Sequence, residues 1–305
     1  MEHRLTVSAP GSIMVTGEHA VVYGHPAIVA AIEQRITISF AARADRQITL
    51  KSHIAEPQVT PLDSITVEGP YRFVLAALEL YADRLPKGLD IDITSEIDPT
   101  LGLGSSAAVT VAMLAGLARL TVGKTETLHM QALGIVRTQQ GRGSGADLAA
   151  SLYGGMISYQ IAEDGPAKTA QLPAPPPMSL CYSGYKTPTG DVLQRVADNY
   201  RGKEAEVDAL YAQMGATAAR TIDAVKIENW ADAAELMTTY QSLMAELGVS
   251  DHTLNAIIDT ANGTRGTLTA KISGSGLGDC VLAIGAVPER FLPVQLSSRG
   301  VVFHD

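Results

Sequence analysis

A glycine-rich segment offers the clearest chemistry in this sequence. Residues 99–108 read PTLGLGSSAA, follow a strand-like stretch and lead into a predicted helix. Gly102 and Gly104 let the backbone approach a ligand closely, and a helix start presents unpaired N–H groups at its positive end. Ser105 and Ser106 add hydroxyls that suit phosphate oxygens or Mg²⁺. The segment predicts a polyphosphate loop, and it is equally consistent with a serine-capped helix after a tight turn.

Two other phosphate motifs compete with this interpretation. Residues 102–107 also satisfy the dinucleotide fingerprint, with Glu126 at about the spacing of a ribose contact, which leaves a nicotinamide-dependent oxidoreductase open. Residues 123–125, GKT, resemble the end of a Walker A loop. Because Ala118 stands where the first glycine of that motif belongs, and a helix precedes it, we reject the Walker interpretation.

Two further glycine clusters follow. The first, GRGSGAD at residues 141–147, places Asp147 early in a short helix, where its carboxylate can accept a hydroxyl proton or orient that hydroxyl. The competing interpretation is a first-turn acid that only stabilises the helix dipole. The second cluster, KISGSGLGD at residues 271–279, joins two predicted strands. Its glycines at 274, 276 and 278 suit a lid over phosphates or an ordinary tight turn.

Composition limits the class of protein. The 305 residues include 23 basic and 32 acidic side chains, and the net charge of −9 disfavours a nucleic-acid binder. Cys181 and Cys280 lack metal-ligand spacing and fit a reducing cytoplasm. The first ten residues lack the layout of a signal peptide, and the uncharged stretch 100–118 favours a buried helix over a membrane span. Of the seven histidines, only His19 draws functional interest; His25 is expected in a turn and the others at the surface.

The elements that must position these clusters alternate in blocks. Strands are predicted at 4–9, 12–17, 27–33, 35–40, 47–50, 89–95, 155–161, 266–273, 279–285 and 301–304. Helices are predicted at 70–85, 107–120, 125–140, a short segment after residue 145, 191–199, 203–227, 230–247 and 251–262. Strands, then helices, then strands again predict an α+β architecture rather than repeating βαβ units. The prolines at 173–177 mark either a boundary between domains 1–175 and 176–305 or a surface loop.

The three clusters, with APGSIMVTGEHAVVYG at residues 9–24, resemble the GHMP kinase superfamily, whose members include galactokinase, homoserine kinase, mevalonate kinase and phosphomevalonate kinase. The resemblance runs from Ala9 to Cys280, and GEHAVVYGHPA is most similar to the mevalonate kinases. It implies a two-lobed fold in which an N-terminal lobe of mixed sheet and helices and a ferredoxin-like C-terminal lobe enclose an ATP site.

The resemblance also implies roles for residues. Asp147 is the expected catalytic aspartate, and Ser106 is the expected Mg²⁺ ligand and second catalytic residue. The expected ATP-binding residues are Gly102, Leu103, Gly104, Ser105, Ser106, Ala107, Gly274, Ser275 and Gly276. The expected acceptor-binding residues are Ser12, Glu18, His19, Asp147 and Lys186.

Two positions depart from the mevalonate kinase pattern. Ser12 stands where these enzymes usually carry a lysine that pairs with the aspartate, and Val136 stands where they place a Mg²⁺-binding glutamate. The segment SGADLAASLYGG is closer to phosphomevalonate kinases. These departures concern the acceptor more than the class of reaction.

The expected function is transfer of the γ-phosphoryl group of ATP, with Mg²⁺, to a hydroxyl of a small anionic metabolite. Mevalonate is the first choice of acceptor, phosphomevalonate the second and a sugar or sugar phosphate the third. Alternatives from other classes are the nicotinamide-dependent oxidoreductase and a non-catalytic nucleotide-binding regulator, which the two departures suggest. A small-molecule substrate, no nucleic-acid or membrane partner, a homodimer and a cytoplasmic location complete the expectation.

Overall fold

The chain forms two β-sheets with helices packed against them. The computed structural model describes residues 4–98, 101–122, 126–162 and 165–304. Within these ranges the strands are β1 Arg4–Thr16, β2 Ala27–Ala42, β3 Gln47–Ser52, β4 Gln58–Pro61, β5 Leu89–Ser95, β6 Met156–Gln160, β7 Lys168–Gln171, β8 Met178–Tyr182, β9 Thr267–Ser273, β10 Cys280–Gly285, β11 Leu292–Val294 and β12 Val302–His304. The helices are α1 Arg72–Tyr81, α2 Ser105–Leu120, α3 Leu128–Gln140, α4 Ala146–Tyr153, α5 Thr189–Asn199, α6 Glu204–Lys226, α7 Trp230–Glu246 and α8 His252–Asn262.

The larger sheet has the strand order β12-β1-β2-β5-β3-β4, and the hairpin β6–β7 joins it along β2. Because β2 is 16 residues long, it pairs with β6 through residues 27–30 and with β5 through residues 36–42. The pair β3–β5 is parallel, and its other described strand pairs are antiparallel. Helix α2 packs closely on this sheet because Gly116 leaves room for Phe40, whose ring would lie 2.3 Å from an added Cβ.

The smaller sheet has the order β11-β8-β10-β9, and every described pair in it is antiparallel. Helices α7 and α8 pack against its edge strand β9. The third glycine-rich cluster forms the turn between β9 and β10. The smaller sheet therefore delivers that cluster to the same region that α2 and α4 approach from the larger sheet.

The α+β prediction is confirmed, and several element boundaries are corrected. The predicted break between residues 9 and 12 is wrong, since β1 is continuous through Pro10 and Gly11, where its pairing with β2 shifts register. A proline fits inside a strand at such an irregularity. The runs 27–33 and 35–40 likewise form one strand. Four short strands, β4, β7, β8 and β11, escaped prediction because three to five residues carry too little pattern.

The prolines at 173–177 lie between β7, the last strand of the larger sheet before them, and β8 of the smaller sheet. The lobe boundary at residue 175 stays a prediction. The last strand of the chain lies after this boundary but belongs to the larger sheet. Strand β12 returns to pair with β1, and Arg35 on β2 donates hydrogen bonds to the carbonyls of Arg299 and Gly300.

In the described part of the chain no helix is long and apolar enough to cross a membrane. The predicted helix start at Thr125 and the rejected GKT motif lie outside the described residues.

Candidate active site

A cavity of about 740 Å³ brings the three glycine-rich clusters together. The start of α2, the loop before α4 and the turn after β9 all contribute to its wall. Most residues that the sequence predicts for the site line this cavity: Gly102, Leu103, Gly104, Ser105, Ser106, Ala107, Asp147, Gly274, Ser275, Glu18, His19 and Lys186. Ser12 and Gly276 do not line the cavity. Ser12 packs against the lining residue Gly104, and Gly276 packs against the carbonyl of Val249.

The loop before α2 is shaped by two glycines in the left-handed region. Gly102 has φ +71° and Gly104 has φ +68°, which a side chain disfavours. An added Cβ would lie 2.9 Å from Asp279 Cγ at Gly102 and 2.0 Å from Ser12 Oγ at Gly104. The loop is therefore clamped between β1 and the third glycine cluster. Pro99 and Thr100, which begin this segment, lie outside the described residues.

The start of α2 has the properties of an anion site. Gly104 occupies the N-cap position, and no side chain of the described residues caps the helix. This finding excludes the serine-capped alternative, because Ser105 and Ser106 lie inside the first turn and both line the cavity. Among the described residues no side chain is recorded as a hydrogen-bond acceptor for the first N–H groups of α2, so these groups and the positive end of the helix dipole suit an anion in the cavity.

Asp147 lies in the first turn of α4 and faces this loop. Its Oδ1 accepts a hydrogen bond from Ser12 Oγ at 2.7 Å, and Ser12 N donates to the carbonyl of Leu103 at 3.1 Å. Ser12 thereby ties the carboxylate to the phosphate-loop candidate. A neutral hydroxyl occupies the place that the family pattern gives to a lysine.

Three side chains fix the loop that precedes Asp147. The carbonyls of residues 143–145 accept hydrogen bonds from Arg137 at 3.1 Å, Tyr159 at 2.5 Å and His129 at 3.0 Å, in that order. His129 is 7% exposed, so its predicted surface position is wrong. Burial also lowers the pKa of His129, which favours the neutral ring in this contact. The orientation of Asp147 is therefore set by α3 and β6 as well as by β1.

Burial raises the pKa of the Asp147 carboxyl, the hydrogen bond from Ser12 opposes the rise, and the charge of Glu18 adds to it. We therefore expect Ser12→Ala to raise this pKa further and to move the acid limb of a kcat/KM profile to higher pH, because the bond that favours the ionised form is lost. A pH–rate profile checks this result. Ser151→Ala is the matched control, since Ser151 is buried on the same helix and its hydroxyl has no hydrogen-bond partner among the described residues. An acid limb that stays in place in Ser12→Ala contradicts the prediction.

Glu18 and His19 lie in the turn after β1, and His19 has φ +59°. His19 Nε2 lies 2.8 Å from the carbonyl of Ser275, which can only accept a hydrogen bond. Burial lowers the pKa of His19, so the neutral ring donates through Nε2 and keeps Nδ1 as an acceptor. Glu18 Oε1 is bound by Lys271 at 2.5 Å.

Several buried polar atoms on the cavity wall have no hydrogen-bond partner within the described ranges. They are Glu18 Oε2, His19 Nδ1 and Ser275 Oγ. Since a buried polar atom without a partner is costly, their concentration at one cavity indicates a ligand that supplies the missing hydrogen bonds. His19, Leu277 and Asp279 also hold positive φ here, and such strain is typical of functional sites.

Lys186 lies at the edge of the cavity on the loop after β8. Its Nζ is 3.8 Å from Asp279 Oδ1. Burial raises the pKa of Asp279, and Lys186 opposes that rise. The loop itself is held against the third cluster, because Asp279 N donates to the carbonyl of Tyr185 and Thr187 Oγ1 donates to that of Leu277. This contact places a cation beside Gly102 and thus beside the phosphate-loop candidate.

Three features of the site were missed by sequence reasoning. One arm of the cavity is apolar and is lined by Ile54, Ala55, Tyr71, Phe73, Val74 and Val109. Lys271 is buried inside the strand TLTAKIS, and a lysine within an apolar strand was a usable signal. Asp279 lies beside Gly102, which its position in a turn did not reveal.

The structure disfavours the oxidoreductase alternative. The described neighbours of β5 are β2, which is antiparallel, and β3, which is parallel but precedes β5 in the chain. Helix α2 leads into α3 instead of a strand parallel to β5. The fingerprint at residues 102–107 thus lies outside the βαβ unit that gives it meaning.

Comparison with known proteins agrees with this geometry. The family model described as GHMP kinases N terminal domain matches residues 72–155, and the one described as GHMP kinases C terminal matches residues 221–291. The mevalonate kinase of Thermococcus onnurineus is 31% identical, with 94% of this chain and 90% of that protein covered.

Two solved structures share the fold. The Lin0012 protein from Listeria innocua has a TM-score of 0.87 at 22% identity, with 99% of this chain and 100% of that chain covered. The mevalonate kinase of Methanococcus jannaschii has a TM-score of 0.78 at 23% identity, with 96% and 98% covered. The relative that is 31% identical over most of both chains, with the two matching family models, places the chain in the GHMP kinase family, whose members use ATP as phosphate donor.

Proposed function

We propose that this enzyme phosphorylates mevalonate with ATP to give 5-phosphomevalonate. The observation that carries the proposal is the position of Asp147, whose carboxylate is tied to the start of α2 through Ser12 and shares a cavity with the unpartnered atoms of Glu18 and His19. A phosphoryl donor on one side and a hydroxylated acceptor on the other would meet at this carboxylate.

The residues present fit ATP. The glycine loop and the uncapped start of α2 suit the phosphates, and Lys186 adds a positive charge at the same end. The apolar arm near Tyr71 and Phe73 suits a flat nucleobase. The turn that contains Gly274 and Ser275 covers the cavity from the smaller sheet and would contact the phosphates.

The residues present also fit Mg²⁺ held mostly by phosphates and water. No cluster of three metal-ligating side chains occurs in the part of the chain that the structure describes. Mg²⁺ commonly takes one or two protein ligands and completes its shell with phosphate oxygens and water. Ser106 is the ligand that we propose; Val136 and Gln140 line the cavity near it, and Gln140 Nε2 donates to Ser106 Oγ at 3.4 Å. When bound, the ion would neutralise phosphate charge.

We expect Ser106→Ala to raise the Mg²⁺ concentration needed for half-maximal activity, because the variant loses a hydroxyl ligand. Titration of Mg²⁺ at fixed ATP measures this change. Ser105→Ala is the matched control, since it removes a hydroxyl from the neighbouring position of the same helix turn. Equal Mg²⁺ dependence in the wild type and Ser106→Ala would restrict Ser106 to a structural role.

Catalysis follows from the placement of the carboxylate. The oxygen of the acceptor hydroxyl attacks the γ-phosphorus, the bond to the β–γ bridging oxygen breaks, and ADP leaves. Asp147 accepts the proton of the hydroxyl, and Lys186 stabilises charge on the phosphates. Since only the ionised carboxylate can accept a proton, we expect the acid limb of activity to follow the raised pKa of Asp147.

The polar atoms of Glu18 and His19 at the cavity indicate what groups the acceptor carries. Glu18 Oε2 and His19 Nδ1 are both acceptors, so the ligand that satisfies them must present hydrogen-bond donors, which the hydroxyls of an acceptor can supply. Mevalonate has two hydroxyls and a carboxylate, and the similarity to curated mevalonate kinases supports it over phosphomevalonate and sugars. Lys186 is the cation that we propose for the acceptor's carboxylate or the nearby phosphates.

An ADP-release assay tests this function. The acceptors are mevalonate, phosphomevalonate, homoserine, galactose and heptose phosphates, and the highest kcat/KM is expected for mevalonate. A higher value for phosphomevalonate or a sugar would reassign the acceptor. Saturable ADP binding without turnover of any acceptor would instead support the non-catalytic regulator. The family resemblance further leads us to propose a homodimer in the cytoplasm, which sedimentation and cell fractionation test.

A further inference from the structure

A buried ion pair connects the acceptor end of the cavity with the smaller sheet. The side chains of Lys271 on β9 and Glu18 are 0% and 2% exposed, and Nζ lies 2.5 Å from Oε1. Lys271 Nζ also donates to the carbonyl of Ile272 and lies 5.7 Å from the centre of the Tyr240 ring. Each of these neighbours is a hydrogen-bond acceptor or a π face, which suits an ammonium group with three N–H donors.

Glu18 is held from a second direction. The hydroxyl of Tyr240 on α7 donates to the Glu18 carbonyl at 2.6 Å. The carboxylate and the backbone of Glu18 are thus both fixed by elements more than 200 residues further along the chain. With Oε1 bound to Lys271, Oε2 is the oxygen that faces the cavity without a hydrogen-bond partner among the described residues.

We propose that Lys271 is a positioning residue, which holds Glu18 Oε1 and thereby directs Oε2 toward a hydroxyl of the acceptor. The inference rests on the proposed function, because it requires a hydroxylated acceptor at this end of the cavity. It also gives the site a buried cation, although Ser12 occupies the usual lysine position. Unlike a lysine at position 12, Lys271 does not line the cavity and acts through Glu18.

The charged and titratable groups around Glu18 come from several elements. Lys271 faces it from β9, Tyr240 from α7 and Asp147 from α4, and His19 follows it in the chain. Lys271 is the cation of this group, and burial lowers its pKa while Glu18 opposes that change. Loss of Lys271 would leave the buried carboxylates of Glu18 and Asp147 near each other without this cation, which is unfavourable.

Kinetics of Glu18→Gln, Lys271→Met and the double variant test the proposal. Each single change is expected to raise the acceptor KM by about tenfold or more, since a hydrogen bond to a charged group is lost, with the ATP KM little changed. The double variant should be no worse than Glu18→Gln, because the two residues act as one unit. Thr269→Val is the matched control: Thr269 is buried on the same strand, binds Thr238 at 2.9 Å and does not line the cavity.

A spectroscopic measurement separates this inference from the proposed function. With ¹³C-labelled glutamate, the Glu18 carboxyl resonance is identified by its loss in Glu18→Gln. We expect this resonance to shift in Lys271→Met, because the carboxylate loses the ammonium bound to Oε1, and to keep its wild-type position in Thr269→Val. This readout needs no turnover, whereas mevalonate turnover by the wild type tests the function alone.

Two results would overturn the inference. One is a folded Lys271→Met variant, judged by ADP binding, whose acceptor KM and Glu18 carboxyl resonance match those of the wild type. The other result concerns the double variant, which is measured if Lys271→Met does not fold. The double variant, which replaces the ion pair with a neutral pair, should then fold and match Glu18→Gln in acceptor KM. A much higher KM would show that Lys271 acts apart from Glu18.

Discussion

Replacement of Asp147 with asparagine is expected to lower kcat by about 10²–10⁴-fold while ADP still binds. Asparagine keeps the volume of the side chain, and its Oδ1 can still accept the hydrogen bond from Ser12 that the structure shows at 2.7 Å. What is lost is the ability to accept the proton of the acceptor hydroxyl. Single-turnover kinetics with saturating ATP and calorimetric ADP binding measure the two quantities separately.

The control for this variant addresses the alternative that Asp147 only stabilises a helix dipole. Asp232 is also an acid in the first turn of a helix, α7, and lies outside the cavity. Asp232→Asn should change thermal stability by the small amount expected of a dipole interaction and leave kcat unchanged. If Asp147→Asn behaves in the same way, Asp147 has no part in proton transfer.

The pH dependence has a defined sign. Because burial raises the pKa of Asp147, the proton-accepting form is lost as the pH falls through a value above the usual aspartate pKa of about 4. The acid limb of kcat/KM should therefore lie at higher pH than for an exposed aspartate. An acid limb that persists unchanged in the residual activity of Asp147→Asn would belong to another group.

The parts of the site that depend on local pattern were predictable. The glycines before α2 and the short helix that carries Asp147 are encoded within a few residues, since glycine permits positive φ and a helix start follows directly. The alternation in residues 89–95 likewise predicted β5 with its buried face. Even so, the local pattern left a capped helix and an anion site equally open at Ser105 and Ser106. The structure excludes the serine cap, and the anion site stays a prediction.

The parts of the site that depend on contacts between residues far apart in the sequence were not predictable. Lys271 and Glu18 are 253 positions apart, and only the fold brings the ammonium to the carboxylate. The contact of Asp279 with Gly102 and the buried state of His129 have the same origin. Chain continuity through Pro10 was missed for a related reason: proline disfavours a ladder in isolation, but the register shift in the pairing of β1 with β2 accommodates it.

Gly104→Ala is expected to weaken ADP binding by about tenfold or more, since a loss of ~1.4 kcal/mol corresponds to that factor. Two costs add at this position. Alanine at φ +68° is strained by about 1–2 kcal/mol, and its Cβ would lie 2.0 Å from Ser12 Oγ, so the start of α2 or Ser12 must move. Movement of Ser12 would also disturb its bond to Asp147, and kcat should fall together with nucleotide affinity.

Gly202→Ala separates strain from displacement, and calorimetry with thermal unfolding compares the two variants. Gly202 has φ +78°, lies in the turn before α6, and has no atom within 4 Å of an added Cβ. Its substitution should lower thermal stability through backbone strain alone and leave ADP affinity as in the wild type. If Gly104→Ala loses stability to the same extent and binds ADP as the wild type does, the close contact between this glycine and Ser12 does not shape the nucleotide site.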